Sequence, residues 1–127
     1  MENDIITTKT AKIWMGEDNI IRISHYQNVD ITLQDMKDIV ASCQKVSCGK
    51  PCPLLVDARY IKSMSHDARE HASGQEVNNI IIATATLVGS PVSRTIVNFF
   101  MKLNKPLVPT KLFTDEDEAF VWLKGFL

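Results

Sequence analysis

Asp57, His66, Asp67 and His71 form a cluster of side chains that could transfer protons or bind ions. On a helix, Asp67 and His71 could pair on one face, whereas the neighbours His66 and Asp67 point about 100° apart. A small hydrolase that uses His66 or His71 with Asp57 or Asp67 is therefore one hypothesis. Neither an activated nucleophile nor a complete ligand set accompanies these groups, so we predict no catalytic residue, no metal and no cofactor.

A second cluster, Ser90, Ser93 and Arg94, follows a predicted strand and begins a predicted helix. Unpaired backbone N–H groups, two hydroxyls and a guanidinium could together hold a phosphate or a carboxylate. Against this, the pair Ser90-Pro91 is typical of ordinary capping, with the serine before the helix and the proline in its first turn. Both interpretations remain open. Of the two clusters, Ser90, Ser93 and Arg94 are the stronger candidate for a binding site.

Apolar periodicity and turn residues predict the elements that must position these groups. Leu54-Leu55-Val56, opened by Pro53 and closed by Asp57, indicates a strand that is buried on both faces. The strands are predicted over residues 11–15, 20–26, 53–57, 80–88 and 107–113. The helices are predicted over residues 33–48 with Thr32 as N-cap, 66–77 with Gly74 inside, 91–103, and after Thr114 as N-cap.

The predicted order is β-β-α-β-α-β-α-β-α, which is an α/β fold. A hairpin followed by strand–helix alternation implies a mixed sheet whose later strands are parallel and joined by right-handed crossovers. The ends of these parallel strands share one edge, so we expect residues 57–67 and 86–94 to open there. At 127 residues, the chain predicts one domain over residues 11–127, after a flexible N-terminus at residues 1–10.

Composition excludes several classes of function. With 14 basic and 15 acidic residues and a net charge of −1, the chain has no basic stripe for nucleic acid. No segment approaches the ~20 apolar residues of a membrane span, and the acidic start is unlike a secretory signal, so we expect a cytoplasmic protein without stable membrane insertion. Cys43, Cys48 and Cys52 match no zinc spacing, which predicts reduced thiols.

These features resemble the STAS domain, the fold of anti-sigma-factor antagonists and of the cytoplasmic tails of sulfate transporters. The resemblance covers residues from about 11 to 127. It rests on the order of elements and on residues 54–57, which lead through Ile61-Lys62-Ser63-Met64 to a helix start. Small stand-alone STAS-like bacterial proteins of unassigned function have runs similar to Ser90-Pro91-Val92-Ser93-Arg94, Asn104-Lys105-Pro106, Pro109-Thr110-Lys111 and Phe113-Thr114-Asp115.

One run departs from the pattern of the antagonists, which present a phosphorylatable serine in a methionine-aspartate-serine-serine-glycine sequence. Here the matching run is Met64-Ser65-His66-Asp67-Ala68. Ser65 stands where the aspartate was, and His66 stands where the phosphoserine was. The resemblance therefore does not carry the kinase-controlled switch to this chain, although Ser63 and Ser65 are nearby hydroxyls that could accept phosphate.

The resemblance and the two clusters together predict a non-enzymatic regulatory or interaction module. It would bind a protein partner or a small anionic ligand at residues 57–67 and 86–94. The predicted binding residues are Asp57, Ser63, Ser65, His66, Asp67, Ser90, Ser93 and Arg94. The alternative is a carrier of a small apolar, lipid-like molecule, with a cavity beside the 91–103 helix that carries Phe99 and Phe100. An exposed Phe99 face would favour a homodimer.

Overall fold

The computed structural model describes residues 5–103 and 107–127, and for residues 99, 100 and 103 the backbone alone. The expectations for the Phe99 and Phe100 side chains, and for the run 104–106, lie outside this description. The strands are β1 (Ile6–Thr7), β2 (Ala11–Met15), β3 (Ile21–His25), β4 (Asp30–Ile31), β5 (Cys52–Asp57), β6 (Ser63–Met64), β7 (Ile81–Leu87) and β8 (Thr110–Phe113). The helices are α1 (Leu33–Val46), α2 (His66–Ala72), α3 (Gln75–Asn78), α4 (Pro91–Leu103) and α5 (Glu116–Lys124).

The main sheet has six strands in the order β1-β2-β3-β5-β7-β8. β1, β2 and β3 pair antiparallel, and β3, β5, β7 and β8 pair parallel. The predicted α/β fold, with an opening hairpin and parallel later strands, is confirmed. A separate two-stranded parallel pair, β4 with β6, was not predicted, because each strand has only two residues.

The sheet buries apolar side chains on both faces, as the residues of β5 predict. Leu54 belongs to a core that includes residues of α1, α2 and α4, whereas Leu55 belongs to a core that includes residues of α5. Ala119 and Leu123 of α5 are fully buried. One face therefore carries a thick helical layer, and the other carries a single helix.

Local capping explains where α1 begins and ends. The Thr32 hydroxyl accepts from the Asp35 N–H at 3.3 Å, and the Asp35 carboxylate accepts from the Thr32 N–H at 2.9 Å, which is the predicted capping box. The helix ends at Val46, and Gly49 adopts φ +77° while its N–H donates to the Gln44 carbonyl at 3.0 Å. A left-handed residue of this kind suits glycine at a helix end.

The prediction of one helix over residues 66–77 is wrong, because the chain breaks it into α2 and α3 at Ser73 and Gly74. The Ser73 hydroxyl donates to the carbonyls of Arg69 and Glu70 at 3.1 and 3.2 Å. Gly74 is extended at φ −84° and ψ −179° and is the N-cap of α3. Serine and glycine both weaken a helix interior, so the helix breaks here although the apolar spacing continues across them.

Two boundaries near the C-terminus also differ from prediction. β8 begins at Thr110 rather than at residue 107, and Pro109 contributes only its carbonyl, which accepts from the Thr84 N–H at 2.9 Å. The N-cap of α5 is Asp115 rather than Thr114. At the other end of the chain, β1 pairs with β2, so ordered structure begins before residue 11.

Candidate functional site

The loops that follow β5 and β7 meet at one edge of the sheet, as parallel strands require. The Ala58 N–H donates to the Leu87 carbonyl at 3.0 Å. Gly89 packs so closely on the Arg59 side chain that a Cβ at Gly89 would lie 3.2 Å from the Arg59 Cβ. The loops after Asp57 and Leu87 therefore form one continuous surface, which we call the edge surface.

Asp57 is fully engaged within this edge surface. Its carboxylate accepts from Arg59 Nε at 2.9 Å and from Arg59 Nη2 at 2.8 Å, and also from the Arg59 N–H at 3.2 Å. The two side-chain hydrogen bonds raise the pKa of Arg59. The Arg59 guanidinium also lies 5.6 Å from the ring centre of Tyr60, whose side chain is exposed. Asp57 and Arg59 thus form a neutralised pair rather than a carboxylate ready for proton transfer.

The serine hydroxyls near the start of α2 hold local structure. The Ser63 hydroxyl donates to the Asp30 carboxylate, and the Ser65 hydroxyl accepts from the Ala68 N–H at 3.1 Å as the N-cap of α2. Asp67 is exposed in the first turn of the helix. Among the described residues, no hydrogen bond or ion pair links this α2 start to Asp57, so the predicted binding residues fall into separate groups.

The histidines of α2 pair with glutamates rather than with the predicted aspartates. His66 Nε2 lies 2.7 Å from Glu70 Oε1, and His71 Nε2 lies 3.7 Å from Glu76 Oε2. His66, Asp67 and Glu70 could bring one ligand atom each to within 4.8 Å of one another, but all three are exposed. Carboxylates are common at a helix start because the helix dipole favours them there, so this group alone does not indicate a metal site.

The Ser90–Arg94 turn is built mainly as a helix cap. The Ser93 N–H donates to the Ser90 hydroxyl at 3.0 Å, as predicted for an N-cap. The Ser93 side chain is fully buried, and its hydroxyl accepts from the N–H groups of Gly89 and Ser90 at 3.1 and 3.2 Å. Arg94 is exposed and shares a shallow surface depression with Lys111 and Glu118. Of this cluster, Arg94 is the most exposed residue, Ser90 is half-buried and Ser93 is buried.

A cavity of about 140 Å³ lies between the sheet and the helical layer. Most of its wall is apolar. The wall comprises Ile23, His25, Met36, Ile39, Val40, Cys43, Leu54, Val56, Ala58, Ile61, Met64, Ala72, Ser73, Gly74, Val77, Asn78, Ile80, Ile81, Thr84, Thr86, Ile96, Val97, Met101, Leu107, Val108 and Thr110. Leu107, which is exposed, places part of this wall at the protein surface.

Several wall residues have polar side chains, namely His25, Ser73, Asn78, Thr84, Thr86 and Thr110. His25, the last residue of β3, is buried, and its Nδ1 has no hydrogen-bond partner among the described residues. Burial lowers the pKa of His25 to about 4, although the negative charge of Asp57 acts in the opposite direction. The imidazole is therefore neutral at physiological pH. Thr84 and Thr86 lie on β7.

Sequence reasoning missed both His25 and Arg59. Ile21, Ile23 and His25 alternate on one face of the predicted 20–26 strand, and this alternation places the histidine on the buried face. The sequence therefore contained enough information to predict that His25 is buried. Arg59 has no comparable signal, because its role depends on how the chain turns after Asp57.

None of the helices formed by the described residues combines the length and apolar character needed to cross a bilayer. A structural comparison finds an uncharacterised protein of the DUF3478 family with a SpoIIAA-like fold, from Shewanella loihica PV-4. It is 13% identical, with 96% of this chain and 92% of that chain covered and a TM-score of 0.58. This likeness supports the SpoIIAA-like, hence STAS-like, fold alone.

A protein of unknown function from Arthrobacter sp. FB24 is also similar. It is 27% identical, with 93% of this chain and 95% of that chain covered, and its TM-score is 0.36. No curated protein matches the sequence. Residues 13–127 match the family described as Domain of unknown function (DUF7793), and the chain therefore belongs to that family.

Proposed function

We propose that this protein is a SpoIIAA-like binding module that holds a small, mostly apolar molecule in the cavity beneath α4. The observation that carries the proposal is the cavity itself, because protein interiors are normally packed without voids of this size. An engineered apolar cavity of roughly 150 Å³ is known to bind benzene. A space of about 140 Å³ suits a ligand of that size.

The wall of the cavity supports a ligand rather than a packing defect. The wall brings together side chains from the sheet, such as Val56, and from α4, such as Ile96 and Met101. These three residues are only partly buried although they contact the core. Covering them with an apolar ligand would remove apolar surface from water, which is favourable at about 25 cal/mol per Å².

The test uses two valines of the same helix. Val97 is 9% exposed and lines the cavity, whereas Val92 is 56% exposed and does not. We expect toluene, titrated into isotope-labelled protein, to shift the NMR methyl signals of Ile39 and Ile96 saturably. Val97→Phe should abolish this saturable shift by filling the space, and Val92→Phe should preserve it. Unsaturable shifts spread over the surface of the wild-type protein would refute the proposal.

A second candidate function is the binding of a small anion or a protein partner at the edge surface. It is favoured by the two cations Arg94 and Lys111, which line one depression beside the start of α4 together with a single acidic residue, Glu118. The exposed Tyr60 ring offers a contact to a protein partner. Inorganic phosphate should then shift the amide signals of residues 92–94 in the wild type and not in Arg94→Gln. Lys124→Gln, in the last turn of α5, is the matched control.

A further inference from the structure

We infer that the ligand of the cavity is a neutral molecule with one hydroxyl-type group, and that the imidazole of His25 binds that group. This inference rests on the proposed function and names the chemistry of its ligand. His25 lies in the wall of the cavity and is buried. Neither of its ring nitrogens has a hydrogen-bond partner among residues 5–103 and 107–127, and Nδ1 is enclosed by protein atoms, which leaves Nε2 for the ligand.

An unpartnered buried nitrogen is costly, and a protein normally satisfies it. A neutral imidazole has one donor nitrogen and one acceptor nitrogen. A ligand hydroxyl can both donate and accept, so it matches His25 in either tautomer. A purely hydrocarbon ligand would leave the nitrogen of His25 without a partner, as it is now.

The charge of the cavity wall selects against ionised ligands. The described residues that line the cavity include neither Lys, Arg, Asp nor Glu. Burial raises the pKa of the Cys43 thiol to about 12, so this wall residue is neutral as well. Asp57, the acidic group that acts on His25, already pairs with Arg59. A buried carboxylate or ammonium on the ligand would have no counter-charge in the described wall, which is strongly unfavourable.

The size of the ligand follows from the volume of the cavity. About 140 Å³ accommodates a ring of six atoms with a small substituent. Phenol and toluene have nearly the same shape and differ by a hydroxyl in place of a methyl group. They are therefore a matched pair of probes for the hydrogen bond to His25.

The experiment measures the dissociation constants of phenol and toluene for the folded wild-type protein by NMR titration. The same pair is then measured for His25→Phe, which removes the nitrogens of the ring, and for His25→Gln, which keeps a polar group. We expect the preference for phenol over toluene to fall about fivefold in His25→Phe, the effect of losing one net hydrogen bond. His25→Gln should recover part of the preference for phenol. If His25→Phe does not fold, the comparison of His25→Gln with the wild type tests the inference instead.

The outcomes separate this inference from the proposed function. If toluene binds in the cavity and the preference for phenol is the same in wild type and both variants, the role of His25 is refuted and the cavity proposal stands. If neither probe binds saturably to the wild type, the proposed function fails, and the inference fails with it.

Discussion

The guanidinium of Arg59 contacts both carboxylate oxygens of Asp57, at 2.9 Å from Nε to Oδ1 and 2.8 Å from Nη2 to Oδ2. Asp57 closes a central strand, and the stem of Arg59 packs against Gly89 in the neighbouring loop. The pair therefore joins the two loops of the edge surface. It also shows that the carboxylate at the end of this buried strand is held by its own loop.

Replacing Arg59 tests this structural role. Arg59→Met keeps much of the aliphatic part of the side chain and removes the bidentate contact with Asp57. We expect the free energy of unfolding to fall by only about 1 kcal/mol, because the pair is partly exposed. Urea unfolding followed by circular dichroism measures the change. Lys62→Met, at an exposed position of the same loop, should change stability by less than about 0.5 kcal/mol. Equal losses in the two variants would contradict the role of the pair.

The buried His25 makes stability depend on pH. Its pKa is lowered from the ordinary 6.5 to about 4 in the folded protein, so the unfolded chain binds more protons between these values. Stability from this group is therefore complete above pH 6.5 and is lost as the pH falls toward 4. The expected loss is about 3 kcal/mol, from a shift of two to three pKa units at about 1.4 kcal/mol each. Unfolding free energies measured at successive pH values test it.

His25→Phe is the control for this pH dependence, since phenylalanine does not titrate. Its stability should change much less between pH 6.5 and 4 than that of the wild type. Asp57, which faces His25, and Arg59, which pairs with Asp57, are unchanged in this variant. Parallel pH profiles for the two proteins would mean that other groups, and not His25, dominate the acid sensitivity.

The cap of α5 can be tested with two neighbouring residues. The Asp115 carboxylate accepts from the N–H groups of Asp117 and Glu118 at 2.7 and 3.3 Å. Asp115→Ala should lower the free energy of unfolding by about 1 kcal/mol, which is typical for loss of an N-cap. Thr114→Ala should have little effect. A larger loss for Thr114→Ala, measured by thermal or urea unfolding, would support the sequence-based prediction of the cap instead.

The three thiols should differ in reactivity. All are free, with Cys48 exposed and Cys43 and Cys52 buried. Burial raises the pKa values of the Cys43 and Cys52 thiols, and thiols react as thiolates. We therefore expect a disulfide reagent at pH 8 to modify one thiol rapidly in the native protein and all three in urea. Cys48→Ser should remove the fast phase, and a fast phase that survives this substitution would refute the assignment.

Much of the architecture could be predicted from the sequence because its signals are local. The bulky run Leu54-Leu55-Val56 required burial on two faces, and the Thr32 and Asp35 pair fixed the start of α1. The break at Gly74 and the shortened β8 were harder, because apolar spacing continues across them. There the backbone preferences of glycine, serine and proline outweigh the apolar pattern.

The site was less predictable, because it depends on contacts between distant segments. Ser93 has a hydroxyl group that could bind an anion. Tertiary packing instead turns this hydroxyl inward, where it accepts from two loop N–H groups. Asp57 lies at the end of a parallel strand, where a functional carboxylate would be expected. The chain then turns so that Arg59, two residues later, pairs with this carboxylate. The cavity arises from the spacing between α4 and the sheet, and residue types alone do not specify that distance.

The main sheet ends at β1 on one side, a strand of only two residues, and at β8 on the other, a strand of four residues preceded by Pro109. Short edge strands and proline offer few backbone groups to a strand from another molecule. Both edges of this sheet are therefore protected against intermolecular strand pairing and the aggregation that follows from it. Copies of this chain that associate are expected to do so through side chains rather than by extending the sheet.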